Sequence, residues 1–238
     1  MSSGCFLATT LVVILYRPIA YLLVCSNHLR LFEHQSIEDD VMENSARLRT
    51  FIQSFTQLIE QADNDEERIF VDGKKLLSSL IHHDDWLPEA FAKPSVERYQ
   101  QYLLYCDPLE RFSLVSFVWA PGQTTPVHDH TVWGMVGVMR GAEFCEEYER
   151  DPANARLRAM GSHHLPTGSV DLVSPRLGDI HKVSNALKDS VSISIHIYGG
   201  NIGAVKRHVY DAETGKKQPF ISGYTSKVIP NIWDRSVE

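Results

Sequence analysis

The chain has 238 residues, 43% hydrophobic and 22% charged, which supplies apolar material for one sizeable core and excludes collagen-like, low-complexity and largely disordered proteins. With 23 Lys and Arg against 30 Asp and Glu the net charge is -7, so the basic footprint that nucleic acids or anionic membranes require is missing. Four scattered cysteines, Cys5, Cys25, Cys106 and Cys145, form no CxxC pair and no disulfide framework, and a reducing, cytoplasmic location is expected.

Residues 5 to 25, CFLATTLVVILYRPIAYLLVC, form an apolar run of about bilayer length that Arg17-Pro18 interrupts. The opening MSSGCF lacks the basic start of a signal peptide, and no clear small-residue cleavage site follows. Three readings stay open for residues 1 to 41: an upstream extension of a protein whose working part starts near Met42, a membrane anchor, or a targeting peptide. Membrane association is expected only if the run is a true anchor.

Residues 42 to 110 read as a helical segment. Leu48, Phe51, Ile52, Phe55, Leu58 and Ile59 recur at three- and four-residue steps along one helix face, and the acidic stretch QADNDEE ends that helix. Leu76, Leu77, Leu80 and Ile81 mark a second, and SVERYQQYLLY reads as a third helical stretch before Asp107-Pro108 forces a turn. From residue 111 the period becomes that of strands. Phe112, Leu114 and Val118 alternate with Val115, Phe117 and Trp119, an apolar pattern on both faces that fits a strand buried on two sides. Short strand-like runs between turn residues then continue to residue 238, the pattern of a sandwich or small barrel.

Within that region PGQTTPVHDHTVWGMVGVMRG sets His128 and His130 two apart, so both imidazoles leave one face of a strand. An isolated HxH is common by chance. Here it follows Gly122 by five intervening residues and runs on to Gly141, which resembles the first motif of the cupin superfamily, and PRLGDIHKVSN, with Gly178, His181 and Asn185, resembles the second. The Pro175 to Gly178 spacing is one residue longer than usual. The resemblance implies a mainly β fold, a cupin double-stranded β-barrel preceded by α-helices, with His128, His130 and His181 as three ligands to one metal. Many cupins add a glutamate four residues after the second histidine; here that position is Gly134. Three neutral imidazoles leave open metal positions and the full metal charge, suited to an anionic ligand and dioxygen.

The strand DSVSISIHIYGG alternates strictly, with Val191, Ile193, Ile195 and Ile197 on one face and Ser190, Ser192, Ser194, His196 and Tyr198 on the other. On a surface strand those polar groups would be solvated, whereas inside a barrel they must hydrogen-bond to one another. HxH, a distant His and then Ser-x-His-x-Tyr together resemble the cysteine dioxygenase family from about Met42 onward. That resemblance implies a thiol dioxygenase with one Fe(II) per chain and O2 as co-substrate, which puts both oxygen atoms on the sulfur of a small thiol. It implies a catalytic relay of Ser194, His196 and Tyr198. Where the mammalian cysteine enzyme has an arginine on the helix before the barrel and a cysteine after the HxH, this sequence has Gln101 and Gly134, so no cysteine–tyrosine crosslink forms. The pattern is similar to the bacterial branch acting on 3-mercaptopropionate, in which a later arginine holds the carboxylate. Arg207 stands at that place, with Gln101 shaping the pocket and Trp133 as a wall. L-cysteine or a broader set of thiols, including cysteamine, is the alternative substrate, and a non-catalytic ligand-binding cupin the alternative class. No obligatory protein partner and no nucleic acid is expected.

Overall fold

The structure is a computed structural model that describes residues 37–235, with side chains from residue 45 onward. The apolar run 5 to 25, with Cys5, Cys25 and the three readings of that segment, lies outside the described residues. Among the described residues no helix is long and apolar enough to cross a membrane.

Helix α1 spans Ile37–Ala62 and α2 spans Glu66–Ile81. The predicted break between them is local chemistry. Asp63 and Asn64 take the left-handed conformation with φ 47 and 66, and the Asp65 carboxylate accepts the backbone N–H groups of Glu67 and Arg68 as the cap of α2. Among the described residues eleven strands follow: β1 Gln100–Cys106, β2 Ser113–Trp119, β3 Val127–His128, β4 Gly134–Arg140, β5 Ala142–Arg150, β6 Leu157–Pro166, β7 Val170–Val173, β8 Ile180–Asn185, β9 Ser192–Tyr198, β10 Arg207–Tyr210 and β11 Lys217–Phe220. They form two antiparallel sheets, ordered β1-β2-β9-β4-β7 and β11-β10-β3-β8-β5-β6. This is the expected mainly β, double-stranded barrel preceded by α-helices, which among the described residues are α1 and α2.

The expected helical reading of SVERYQQYLLY is corrected: its first residues are bends and Gln100–Cys106 is strand β1, paired with β2 at the edge of the first sheet. Tyr102 and Leu104 pack toward the helices while Tyr99 and Leu103 pack into the barrel. With apolar groups on both faces, a short run carries no readable period, and strand and helix look alike. Gln101 therefore sits on a strand of the barrel, not on a preceding helix.

The first sheet separates two cores. Its outer face, with Leu114, Val118, Ile193, Ile195 and Ile197, packs under Leu48, Phe55 and Leu77 of the helices. Its inner face carries Val115, Phe117, Trp119, Val138 and Tyr198. Strand β2 is thus buried on both sides, as its sequence pattern implies. The helices press close: a Cβ on Gly73 of α2 would lie 2.7 Å from the Met135 side chain of β4. The outer layer thereby fixes the position of β4 and, through it, of β9.

Candidate metal centre

His128 ends β3, His130 stands two residues on, and His181 lies on β8 directly opposite His128 in the antiparallel register. The pairing brings the three rings together with centroids 4.8 to 4.9 Å apart, and their ligand nitrogens lie within 4.8 Å of one another. All three residues are buried. Each outer nitrogen already faces a partner. His128 Nδ1 donates to the Pro126 carbonyl at 3.1 Å, His130 Nδ1 donates to Asp179 Oδ1 at 2.9 Å, and His181 Nδ1 lies 3.6 Å from Cys145 Sγ. Those contacts orient the rings and turn the Nε2 lone pairs toward one point. Burial lowers the pKa of His128 and His181 well below the usual histidine value, with neighbouring histidines adding to it, so these rings are neutral. Neutral nitrogen donors on one side, with no carboxylate among them, fit an iron ion that keeps open positions.

Two aspartates hold this centre that the sequence reading left out. Asp179 accepts the backbone N–H groups of His130 and Thr131 at 3.0 and 2.9 Å as well as the His130 ring. It thereby stabilises Thr131 at φ 59, a strained conformation for a β-branched residue. Asp129, between the two histidines, points the other way. It accepts from His208 N at 2.7 Å, His208 Nδ1 at 2.9 Å and Tyr210 Oη at 2.7 Å, clamping β10 beside β3. Their signals were present, in HDH and in GDIH, but only the strand pairing shows which group each carboxylate meets. Asp179→Asn is expected to weaken iron binding about tenfold by removing the charged acceptor that orients His130, measured as iron retained per chain against graded chelator.

Above the histidines lies a cavity of about 40 Å³, room for about three water-sized groups. It is lined by Tyr198, His196, Arg207 and Gln101, with Tyr99 and Phe117 as apolar walls. Ser194 Oγ lies 2.7 Å from His196 Nε2, and His196 Nδ1 lies 2.8 Å from Tyr198 Oη, a linear chain along one face of β9. Burial lowers the pKa of His196 well below its usual value and raises that of Tyr198, so both are neutral. The Tyr198 ring stacks on His130, centroids 5.4 Å apart, and crosses Gly134 on the neighbouring strand. A Cβ on Gly134 would lie 2.9 Å from that ring, so glycine here leaves space that the phenol fills.

Arg207 opens β10 and is 3% exposed. Its Nη2 donates to Ser222 Oγ at 2.6 Å, its Cζ lies 4.7 Å from the Phe220 ring centroid, and its buried Nε has no hydrogen-bond partner. Gln101 Nε2 donates to the same Ser222 Oγ at 3.0 Å and to the Gly223 carbonyl at 2.9 Å. Trp133 is not brought into the cavity. It packs on the helix side of the sheet against Phe55 and Phe70, with ring centroids 6.4 and 6.3 Å away, and against the backbone of Gly199. The reason is that the chain turns between His130 and β4 and sends Trp133 outward, and its expected place as a cavity wall is corrected. Tyr99, stacked on Trp119 at 4.7 Å, is an aromatic wall in its stead. A larger cleft, about 840 Å³, opens behind His181 but holds neither Arg207 nor the Ser194 to Tyr198 chain.

Among solved structures the chain is similar to a protein with a double-stranded beta-helix domain from Klebsiella pneumoniae, at 19% identity over 48% of this chain and 87% of that one, TM-score 0.36. It is also similar to a cupin-like protein from Thermotoga maritima, at 18% identity over 57% and 87%, TM-score 0.37. A third is an RmlC-like cupin family protein from Methanocaldococcus jannaschii, at 12% over 45% and 85%, TM-score 0.34. The family described as cysteine dioxygenase type I matches residues 41–211, a span that holds the three histidines, the β9 chain and Arg207. The chain therefore belongs to the cysteine dioxygenase type I family, as a thiol dioxygenase whose buried three-histidine site fits an iron centre.

Proposed function

We propose that this enzyme oxidises a small mercapto-carboxylic acid to its sulfinic acid, with 3-mercaptopropionate preferred over L-cysteine. The observation that carries the reading is Arg207. Its guanidinium stays charged in a protein, yet burial lowers its pKa from the usual value and its Nε has no acceptor. A buried, incompletely paired cation facing a cavity is costly until an anion arrives. A carboxylate matches the planar donor pair of arginine. The choice between the two acids follows from what is missing: no Asp or Glu is among the described residues lining the cavity. The ammonium group of L-cysteine would be desolvated there beside Arg207, without a counter-charge, whereas 3-mercaptopropionate has no such group.

Fe(II), held by His128, His130 and His181, supplies when bound the redox chemistry that joins both atoms of O2 to the substrate sulfur. Arg207 anchors the carboxylate, and Gln101 and Arg207 share Ser222, so the two side chains are set relative to each other. Tyr198, oriented by His196 and Ser194, presents a protonated hydroxyl to the same cavity. Phe117 and Tyr99 exclude water and strengthen each of these interactions. Propionate, which keeps the carboxylate and lacks sulfur, is expected to compete with 3-mercaptopropionate, while propylamine at equal concentration does not. Equal inhibition by both, or by neither, would remove the carboxylate from the recognition scheme.

A further inference from the structure

We propose that Cys145, His163 and Asp171 form a second metal site, separate from the three-histidine centre, which takes one Zn2+ ion from the cleft behind His181.

The three side chains come from three strands. Cys145 on β5 and His163 on β6 are direct partners in the antiparallel register, so both project from one face of the second sheet. Asp171, on β7 of the first sheet, meets them there, with its Oδ2 3.1 Å from His163 Nε2. One sulfur, one nitrogen and one oxygen atom of the three residues all lie within 4.8 Å of one another. Bonds of about 2.0–2.3 Å set the ligands of a tetrahedral zinc ion roughly 3.3–3.7 Å apart. The His163–Asp171 pair is close to that spacing, and both side chains are only half-buried, so a small rotation brings them within reach of the sulfur. A thiolate, an imidazole and a carboxylate suit zinc, whereas Mg2+ and Ca2+ prefer oxygen ligands and gain nothing from the sulfur.

Two features around the cluster favour a cation. Glu147 follows Cys145 by two residues on β5 and so shares its face, and Glu147 Oε1 lies 3.9 Å from His163 Nδ1. When a metal takes Nε2, the ring hydrogen moves to Nδ1 and points at that carboxylate, the arrangement that orients a metal-bound histidine. The second feature is the charge of the cleft of about 840 Å³, which Cys145 and Asp171 both line. Five carboxylates and two arginines line it, an excess that draws a cation inward. Binding breaks the S–H bond of Cys145 and forms a bond from sulfur to the metal. The thiol proton leaves to solvent, and nothing is oxidised or reduced. Cys145 Sγ also lies 3.6 Å from His181 Nδ1, so the second ion is held one imidazole ring away from the iron.

The test titrates the full-length, iron-loaded protein with Co2+, without oxygen, and reads iron per chain, cobalt per chain and the near-ultraviolet thiolate-to-cobalt charge-transfer band. A three-histidine site has no sulfur and cannot give that band. One Co2+ per chain is expected to bind beside the retained iron, with the band, and Zn2+ is expected to displace it. Cys145→Ser should abolish the band, which also separates Cys145 from Cys106, the other free cysteine among the described residues. His163→Ala and Asp171→Ala should each weaken Co2+ binding more than about 100-fold, beyond the cost of losing an outer partner, with iron per chain unchanged. These two half-buried positions keep the test open even where Cys145→Ser fails to fold. No band in the wild type, the same band in a folded Cys145→Ser protein, or a Co2+ midpoint within about threefold of wild type in both alanine variants would overturn the site.

Discussion

Replacing Arg207 by alanine is expected to raise the KM for 3-mercaptopropionate by roughly 100-fold while iron per chain stays at the wild-type level. The magnitude follows from removing one partner of a buried, hydrogen-bonded charge pair, which costs about 2–5 kcal/mol, or some 30-fold upward. Iron content is spared because Arg207 reaches the Ser222 hydroxyl and the Phe220 face and is not among the three histidine ligands. Cysteamine, which has a thiol and no carboxylate, separates this effect from general damage: any turnover of it should be nearly the same in Arg207→Ala and wild type. The free protein should melt no lower, since the substitution deletes a buried charge whose Nε has no acceptor. An unchanged KM for 3-mercaptopropionate would take Arg207 out of substrate binding.

The second large effect concerns Tyr198. Tyr198→Phe is expected to keep iron and fold but lower kcat about 100-fold, the range set by a positioned proton donor, and to consume more than one O2 per sulfinate. The hydroxyl is the last group of the β9 chain and the one that faces the cavity, whereas Ser194 and His196 act through it. Removing it also leaves His196 Nδ1 without its 2.8 Å partner in a fully buried site. Ser194→Ala should therefore be milder than Tyr198→Phe, because Trp119 Nε1 remains close to the vacated position. Rates and coupling ratios, read beside iron content, check both variants.

The histidine site was legible because its signals are local. HxH fixes two rings on one strand face, and the strict alternation from Ser192 to Tyr198 fixes a polar inner face whose members turned out to bond only with one another and with barrel residues. The residues around the histidines were less legible, since Asp129 meets His208 and Tyr210 some 80 positions away and Asp179 meets His130 across 49, distances that only the sheet register closes. Trp133 shows the opposite error. Nearness to HxH in sequence pointed to the cavity, but the turn before β4 sends that side chain to the helices. Gln100–Cys106 carries no readable period for a third reason, two apolar faces on a short edge strand, and yet Gln101 reaches Ser222 beside Arg207.

The most direct measurement is oxygen consumption by the Fe(II)-loaded protein with 3-mercaptopropionate, L-cysteine and cysteamine at equal concentration, with the sulfinic acid quantified in each. The highest kcat/KM for 3-mercaptopropionate, at about one O2 per sulfinate, is the expected result. A preference for L-cysteine would contradict the recognition assigned to Arg207 and the uncharged lining of the cavity, and no sulfinate from any of the three would contradict the proposed reaction itself.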